Sequence, residues 1–309
     1  MRVAFFGLPL AAWLLHRDGH DIVYAALSRT DTVGRRRVQR VLPHVALRPD
    51  VTSGAVREAV ARARPDLVVS WFWTTKLPMD IVALAPLGGF GVHPSLLPRH
   101  RGPDPYFRAI DAGDRVTGVT AHRIAAEYDV GAILAQRSLA IDPSWNAWTL
   151  ARKLDRPSLA LLREVAQAFA RGEPPPEVAQ DEAKATLAPA PADEELELDW
   201  TWTAEQLARR VRAASPAPGA WAFFGDEVIT ITDAVPASSV PRVLVPGEAC
   251  VVDGVAVVRT RDGGLALLKG RMDAAEDEEP HSLGTEDLAD MVRELGSLGP
   301  GSARSAGEP

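Results

Sequence analysis

GVHPSLLPRHRG, residues 91–102, closes an apolar run and opens a loop stiffened by proline. The residues before it, GGFGVH (88–93), read as a short strand that ends on His93. Pro94 and Pro98, with Pro103 and Pro105 beyond, restrict the chain that follows, as a site holding one side chain in place requires. Taken alone, a loop histidine is more often an ordinary polar residue. The fold is decided by what alternates on either side of this stretch.

Toward the N-terminus, MRVAFFG (1–7), DIVYAALS (21–28) and DLVVSWFW (66–73) read as buried strands. Between them, LAAWLLHR (10–17) and VREAVARARP (56–65) have helical period, the second ending at Pro65. MDIVALAP (79–86) is a helical turn or two. Toward the C-terminus, residues 103–112 read as helix, and GVTAHRI (118–124) and AILAQRSLAI (132–141) as strands. WTLARKLDRPSLALLREVAQAFARG (148–172) is helical, with Pro157 as a break or a helix start. Strands alternating with helices predict an α/β fold with a doubly wound, mainly parallel, Rossmann-like sheet. Such sheets bind ligands at the carboxyl ends of their strands, where His93 falls.

EPPPEVAQDEAKATLAPAPADEE (173–195) reads as a linker rich in Pro, Ala and acid. A helix, TAEQLARRVRAA (203–214), follows, then the short strands AWAFF, VITIT, ACVV, VAVVRT and LALLKG with DGV and DGG turns. That pattern predicts a small OB-like β-barrel. The expected organisation is a catalytic domain over 1–172, the linker over 173–195, the barrel over 196–295 and a disordered tail over 296–309.

The chain has 309 residues and a net charge of −7, divided unevenly. From Asp193 onward there are 10 Lys/Arg against 22 Asp/Glu; the first 192 residues carry 24 against 19. An acidic second half is a poor surface for a polyanion, and DAAEDEE (273–279) sharpens that. No apolar run reaches the length of a membrane span. The N-terminus, interrupted by Gly7 and Pro9, reads as the first folded unit of a cytoplasmic protein. One cysteine, Cys250, allows neither an intrachain disulfide nor a multi-cysteine metal site, and no metal is expected. The first turn, GLPLAA, lacks the dinucleotide fingerprint, and there is no P-loop.

A second run, EYDVGAIL (127–134), puts Asp129 before a Gly and a buried strand; alone, it reads as a turn residue. HPSLLPRHRG, then TGVTAHRI, then YDVGAILAQ, in this order and spacing, resemble the folate-dependent formyltransferases. LDWTWTAEQLARRVRAASPAPGAW (198–221) and GEACVVDGVAVVRTRDGGLALL (247–268) resemble the C-terminal barrel of the members that formylate methionyl-tRNA. Other members formylate amino sugars, or hydrolyse or oxidise formyl-tetrahydrofolate.

The resemblance implies formyl transfer from 10-formyltetrahydrofolate to an amine on methionyl-tRNA or on a small molecule. It places the family's catalytic His at His93 and its Asp at Asp129. It implies a folate site around Ser95, Leu96, Leu97, Pro98, Arg101, Gly102, Tyr128 and Trp73, with Trp71 and Phe72 beside Trp73 able to line a pterin slot or the core. The family's catalytic Asn, two residues before the His and on the same strand face, is Gly91 here. A lost oxyanion donor typically costs ~10²–10³ in rate. Three consequences stay open: a feeble or inactive folate binder, a substitute donor, or room for another group. Hydrolysis, with water as acceptor, is a further alternative. Val130 stands where the family usually has Thr or Ser. His122, at an alternating strand position, reads as structural. GRRRVQR (34–40) sits where the tRNA-directed members have a basic loop, so Arg35, Arg36, Arg37 and Arg40 are candidates for acceptor phosphates, or a solvated surface run.

Overall fold

The computed structural model describes residues 1–29, 32, 34–42, 44–272 and 280–295. The acidic run 273–279 and the tail 296–309 lie outside them. The chain forms two compact units. One takes Met1–Pro105, Val116–Ile141 and Ala151–Pro189; the other takes Tyr106–Arg115, Asp142–Leu150 and the chain from Ala190.

The first unit is built on β1 (Arg2–Gly7), α1 (Pro9–Arg17), β2 (Asp21–Leu27), α2 (Arg35–Val41), β3 (Val45–Leu47), α3 (Gly54–Ala63), β4 (Leu67–Trp71), α4 (Met79–Val82) and β5 (Gly89–His93). After α5 (Pro105–Asp111) come β6 (Val116–Arg123), β7 (Ile133–Ala140) and α6 (Ala147–Ala170). Among the described residues its sheet has seven strands in the order β3-β2-β1-β4-β5-β6-β7. β1 to β5 are parallel, and β6 and β7 are antiparallel to their neighbours. This is a Rossmann-like, mainly parallel sheet. β1, β2 and β5 are buried on both faces, which is why they read as unbroken apolar runs rather than alternating ones.

One core packs Phe6 and Tyr24 of the sheet against Val56 and Val60 of α3 and Ile81 of α4. The Ser53 hydroxyl starts α3 by accepting from the Val56 N–H. Elsewhere in the unit, α6 lays Phe169 on Phe90 at 5.8 Å and takes the Trp71 indole N–H onto Ser158 Oγ at 2.7 Å.

Two expectations change. Pro157 neither breaks nor starts a helix: α6 runs through it from Ala147 to Ala170. The one hydrogen bond a proline removes is outweighed by a buried face carrying Leu150, Leu154, Leu161, Leu162 and Val165. GRRRVQR is not a loop: Gly34, at φ 91°, caps α2, and Val38 is that helix's buried residue. With one apolar side chain facing inward, the helical period was invisible. Residues 173–189 also carry more structure than a plain linker. Val178 bridges Ile133 and Leu187 bridges Arg101.

The second unit continues with α7 (Asp193–Leu196), α8 (Ala204–Ala214), β8 (Ala220–Phe224), β9 (Glu227–Ala237), β10 (Ala249–Val252), β11 (Val255–Arg259), β12 (Gly264–Met272), β13 (His281–Leu283) and α9 (Thr285–Leu295). Its antiparallel sheet has the order β10-β11-β12-β9-β8, with β13 on β12. Thr203 and Gln206 form a reciprocal capping box at the start of α8. Among the described residues no helix is long and apolar enough to cross a membrane.

Within this unit Arg210 of α8 is buried. It meets Asp111 with two bonds, of 2.7 and 3.0 Å, and lies over the rings of Phe107 and Trp202. Removing the carboxylate strands a buried cation, which usually costs about 3–5 kcal/mol. Asp111→Ala is therefore expected to lower stability by that order, read as a drop in the urea midpoint. Loss of less than about 1 kcal/mol would mean the aromatic faces alone hold Arg210.

Candidate active site

His93 is the last residue of β5, so it emerges at the carboxyl edge of the parallel strands. Its Nε2 lies 2.7 Å from the His100 carbonyl oxygen. A carbonyl only accepts, so Nε2 carries the proton and donates. The other nitrogen, Nδ1, faces Asp129 Oδ2 at 3.4 Å. Opposite, on β6, His122 Nδ1 donates to the Arg123 carbonyl at 3.0 Å and turns Nε2 toward Asp129 Oδ1 at 3.5 Å. One carboxylate thus sits between two imidazoles, each with its far nitrogen committed to a backbone carbonyl.

This arrangement has a proton-counting consequence. If both rings are neutral, both near nitrogens are lone pairs aimed at an anion. A proton on either near nitrogen converts that repulsion into an ion pair. Burial, foremost, depresses the His122 pKa to about 4; Asp129 pulls it up and His93 pushes it down. His122 is therefore a neutral ring at neutral pH, its Nε2 lone pair facing Asp129. The cluster can accept, hold and return one proton beside a strand end.

Asp129 is fixed from several directions. It adopts a left-handed backbone, φ 57°. The Gly102 N–H donates to its Oδ2 at 2.9 Å. Gln180 Nε2 donates to the carbonyls of Asp129 (2.7 Å) and Gly131 (2.8 Å). Gly102 has φ 119°, which favours glycine, and a Cβ there would crowd the Ala188 carbonyl at 3.0 Å.

The other sequence-derived candidates fall into separate groups. The Arg101 side chain is taken up by Gln180 and by both oxygens of Glu182, at 2.7–3.0 Å. It braces the segment that holds Asp129. Ser95 is fully buried; its hydroxyl donates to the Arg99 carbonyl at 2.6 Å. Leu97 is buried, with its N–H on Thr120 Oγ1 at 3.1 Å; Leu96 and Pro98 are half-buried. Tyr128 is 53% exposed, with Lys76 over its ring. Trp73 is half-buried, edge-on to Phe6. Arg35 is half-buried on α2 while Arg36, Arg37 and Arg40 are exposed, Arg37 lying over the Trp13 ring.

Sequence reasoning missed His122 as a site residue, along with Thr120 and Gln180. The signal was register: Gly91 pairs with His122 and His93 with Thr120 across β5 and β6. Gly91 itself needs no glycine. A Cβ there would meet Ser70 O at 3.5 Å and His122 Nε2 at 3.9 Å, ordinary contacts. No cluster of three His, Cys, Asp or Glu suited to a metal is found among the described residues.

The family model described as formyl transferase matches residues 26–166, and the one for the formyl transferase C-terminal domain matches 192–282. This chain belongs to the formyltransferase family. Methionyl-tRNA formyltransferase of Anaeromyxobacter dehalogenans (strain 2CP-C) is 33% identical over 287 residues, 88% of this chain and 92% of that protein. The Roseiflexus sp. (strain RS-1) enzyme of the same name is 34% identical, covering 87% of each. Among solved structures, HypX from Aquifex aeolicus in complex with tetrahydrofolic acid shares the fold at TM-score 0.63 and 21% identity. That match covers 96% of this chain and 47% of HypX. WlaRD, a sugar 3N-formyl transferase crystallised with dTDP and 5-N-formyl-THF, gives TM-score 0.64 at 12% identity, covering 86% of this chain and 97% of its own. Formyltransferases of this family draw on a folate-derived formyl donor.

The buried His122 makes a measurable claim. Its folded pKa lies below its unfolded value of about 6.5, so on acidification the unfolded chain takes up that proton first. Stability is therefore lost as pH falls from about 6.5 toward about 4, on the order of 3 kcal/mol for this group. Urea titrations at stepped pH should show His122→Gln losing less stability over that window than the unmodified chain. Parallel curves would place the depressed titration elsewhere.

Proposed function

We propose that this formyltransferase carries the formyl group of 10-formyltetrahydrofolate to a primary amine. The single observation behind this is the Asp129 carboxylate clasped between His93 and His122 at the carboxyl edge of the sheet. The amine lone pair attacks the formyl carbon, and the carbonyl electrons move onto oxygen. In this reading the His93 Nε2–H leaves the His100 carbonyl and donates to that oxyanion. Asp129 holds His93 and receives the proton released by the amine nitrogen. Collapse expels the folate nitrogen, which takes a proton back from the cluster. The folate site is assigned to the loop from Ser95 to Gly102, with Tyr128 and Trp73 beside it. A cytoplasmic setting goes with this reading.

The acceptor favoured by the relatives is methionyl-tRNA, since likeness to those enzymes runs through both halves of the chain. A small amine such as an amino sugar is the second candidate. Arg35, Arg36, Arg37 and Arg40 on α2 are assigned to the acceptor's phosphates. Gly91 favours one other reading, a folate binder that turns over slowly or not at all. Folate turnover without any amine would instead indicate a hydrolase.

The test is a formyl-transfer assay with 10-formyltetrahydrofolate, run with methionyl-tRNA, with an amino sugar and with no amine. His93→Ala and Asp129→Asn should each lower transfer by ~10² or more. Gly91→Asn, whose Cβ would meet only ordinary contacts, should raise it ~10-fold or more by restoring an oxyanion donor. A fall in rate with Gly91→Asn would show that the open space is used by substrate, and no change would point to another donor. Binding of 5-formyltetrahydrofolate with no transfer to either amine would favour the slow binder.

A further inference from the structure

The place of the missing amide has a hydroxyl beside it. Gly91 lies in register with Ser70 of β4 on one side and His122 of β6 on the other. Paired residues of neighbouring strands point to the same face of a sheet, and so do residues two apart on one strand. Ser70, Gly91, His93 and His122 therefore look onto one face at the carboxyl edge. The spacing agrees: a Cβ built on Gly91 would lie 3.6 Å from Ser70 Cβ and 3.9 Å from His122 Nε2.

Two residues earlier on β5 the same face is closed. A Cβ on Gly89 would meet Val82 of α4 at 3.2 Å, Val68 at 3.1 Å and Ile124 at 3.0 Å. At Gly91 the three nearest atoms all belong to the flanking strands. The helix layer thus gives way between Gly89 and Gly91, and a recess opens toward the strand ends. Ser70 borders it. In β4, LVVSW, it is the one polar hydroxyl and the one residue that is not buried.

The hydrogen-bonding state of these residues narrows the choice. His93 Nε2 donates to the His100 carbonyl, and His122 turns a lone pair toward Asp129. The Ser70 hydroxyl has no hydrogen-bond partner among the described residues, and its oxygen is not sealed from solvent. A serine Oγ is one bond from its Cβ, so it adjoins the volume that an Asn carboxamide at position 91 would fill.

We propose that Ser70 is a catalytic residue of this chain, its hydroxyl standing in for the missing amide as the second donor to the formyl oxygen. This rests on the formyl-transfer reading and deepens it. With no side chain on Gly91, the formyl oxygen seats deeper, against the β4–β5 pair. As the amine lone pair attacks the formyl carbon, the carbonyl electron pair moves onto that oxygen. His93 Nε2–H and Ser70 Oγ–H both donate to it, and the Ser70 proton stays on Oγ throughout. Collapse returns the pair to the carbon–oxygen bond and expels the folate nitrogen. Ser70 forms no covalent bond.

The experiment is a double-mutant cycle of Ser70→Ala and Gly91→Asn on the full chain, with two readouts. The first is formyl transfer from 10-formyltetrahydrofolate to methionyl-tRNA and to an amino sugar. Ser70→Ala should lower kcat ~10-fold or more while the KM for the folate holds. Ser70→Thr, which keeps the hydroxyl, should recover part of the rate. With Gly91→Asn, where a carboxamide occupies the recess, Ser70→Ala should cost several-fold less. The second readout is the infrared stretch of a carbon-13-labelled formyl group in 10-formyltetrahydrofolate bound without amine. A donated hydrogen bond weakens the carbonyl bond, so Ser70→Ala should move the band back toward its free frequency. Thermal melts confirm that the variants fold. Transfer at the natural rate with Ser70→Ala and an unmoved band overturn the Ser70 proposal and leave formyl transfer standing. Equal losses with Gly91 and with Asn at that position overturn it as well, because a structural role gives additive costs. A band that moves with Ser70 in a chain that formylates neither amine upholds the donor and removes the transfer reading. Labelled folate that does not bind removes both.

Discussion

The carboxylate of Asp129 is the constraint on which the candidate site depends. It joins the Gly102 N–H, the His93 ring and the His122 ring, three groups from different parts of the sheet edge. Its backbone conformation is one that an L-residue adopts at a cost, φ 57°, so the surroundings must hold it there. Gln180 does so by gripping the carbonyls on both sides of Val130, and Arg101 with Glu182 holds Gln180. A residue far along the chain thus sets the aim of a catalytic candidate. Arg101, placed in the folate loop by the family resemblance, also acts one step back by holding Gln180.

The same edge explains why the chemistry sits where it does. Five parallel strands end together, and each delivers one loop to a common surface. His93 arrives on β5 and the Trp73 segment follows β4. β6 runs antiparallel, which brings His122 directly across from Gly91. Where the family resemblance leads one to expect an amide on β5, this chain has an imidazole on the opposite strand. Buried and neutral, that ring accepts hydrogen bonds through Nε2 rather than donating them. It stands beside the position of the missing side chain without duplicating its chemistry.

Much of this was legible in the residues. The strands of the sheet interior show as apolar runs because both faces are covered, and the helices between them show their period because one face is. HPSLLPRHRG and YDVGAIL pointed to the candidate site, since their spacing carries the family likeness through to Gly91. Short elements were not legible. β3 has three residues, and α2 has one buried side chain among arginines, too little for any periodicity. The helix Thr285–Leu295 has Leu288, Ala289 and Val292 as its buried residues, a short apolar stripe that follows a run of short strands.

By itself, then, the sequence determined the class of fold, the family, and the identity of His93 and Asp129 as the pair to examine, because these depend on local pattern and fixed spacing. Only the tertiary structure decided who stands around them. The role of His122 follows from the register of β6 on β5, and that of Gln180 from a return of the chain 51 residues after Asp129. None of these is a property of neighbouring residues, so no window along the chain could contain them.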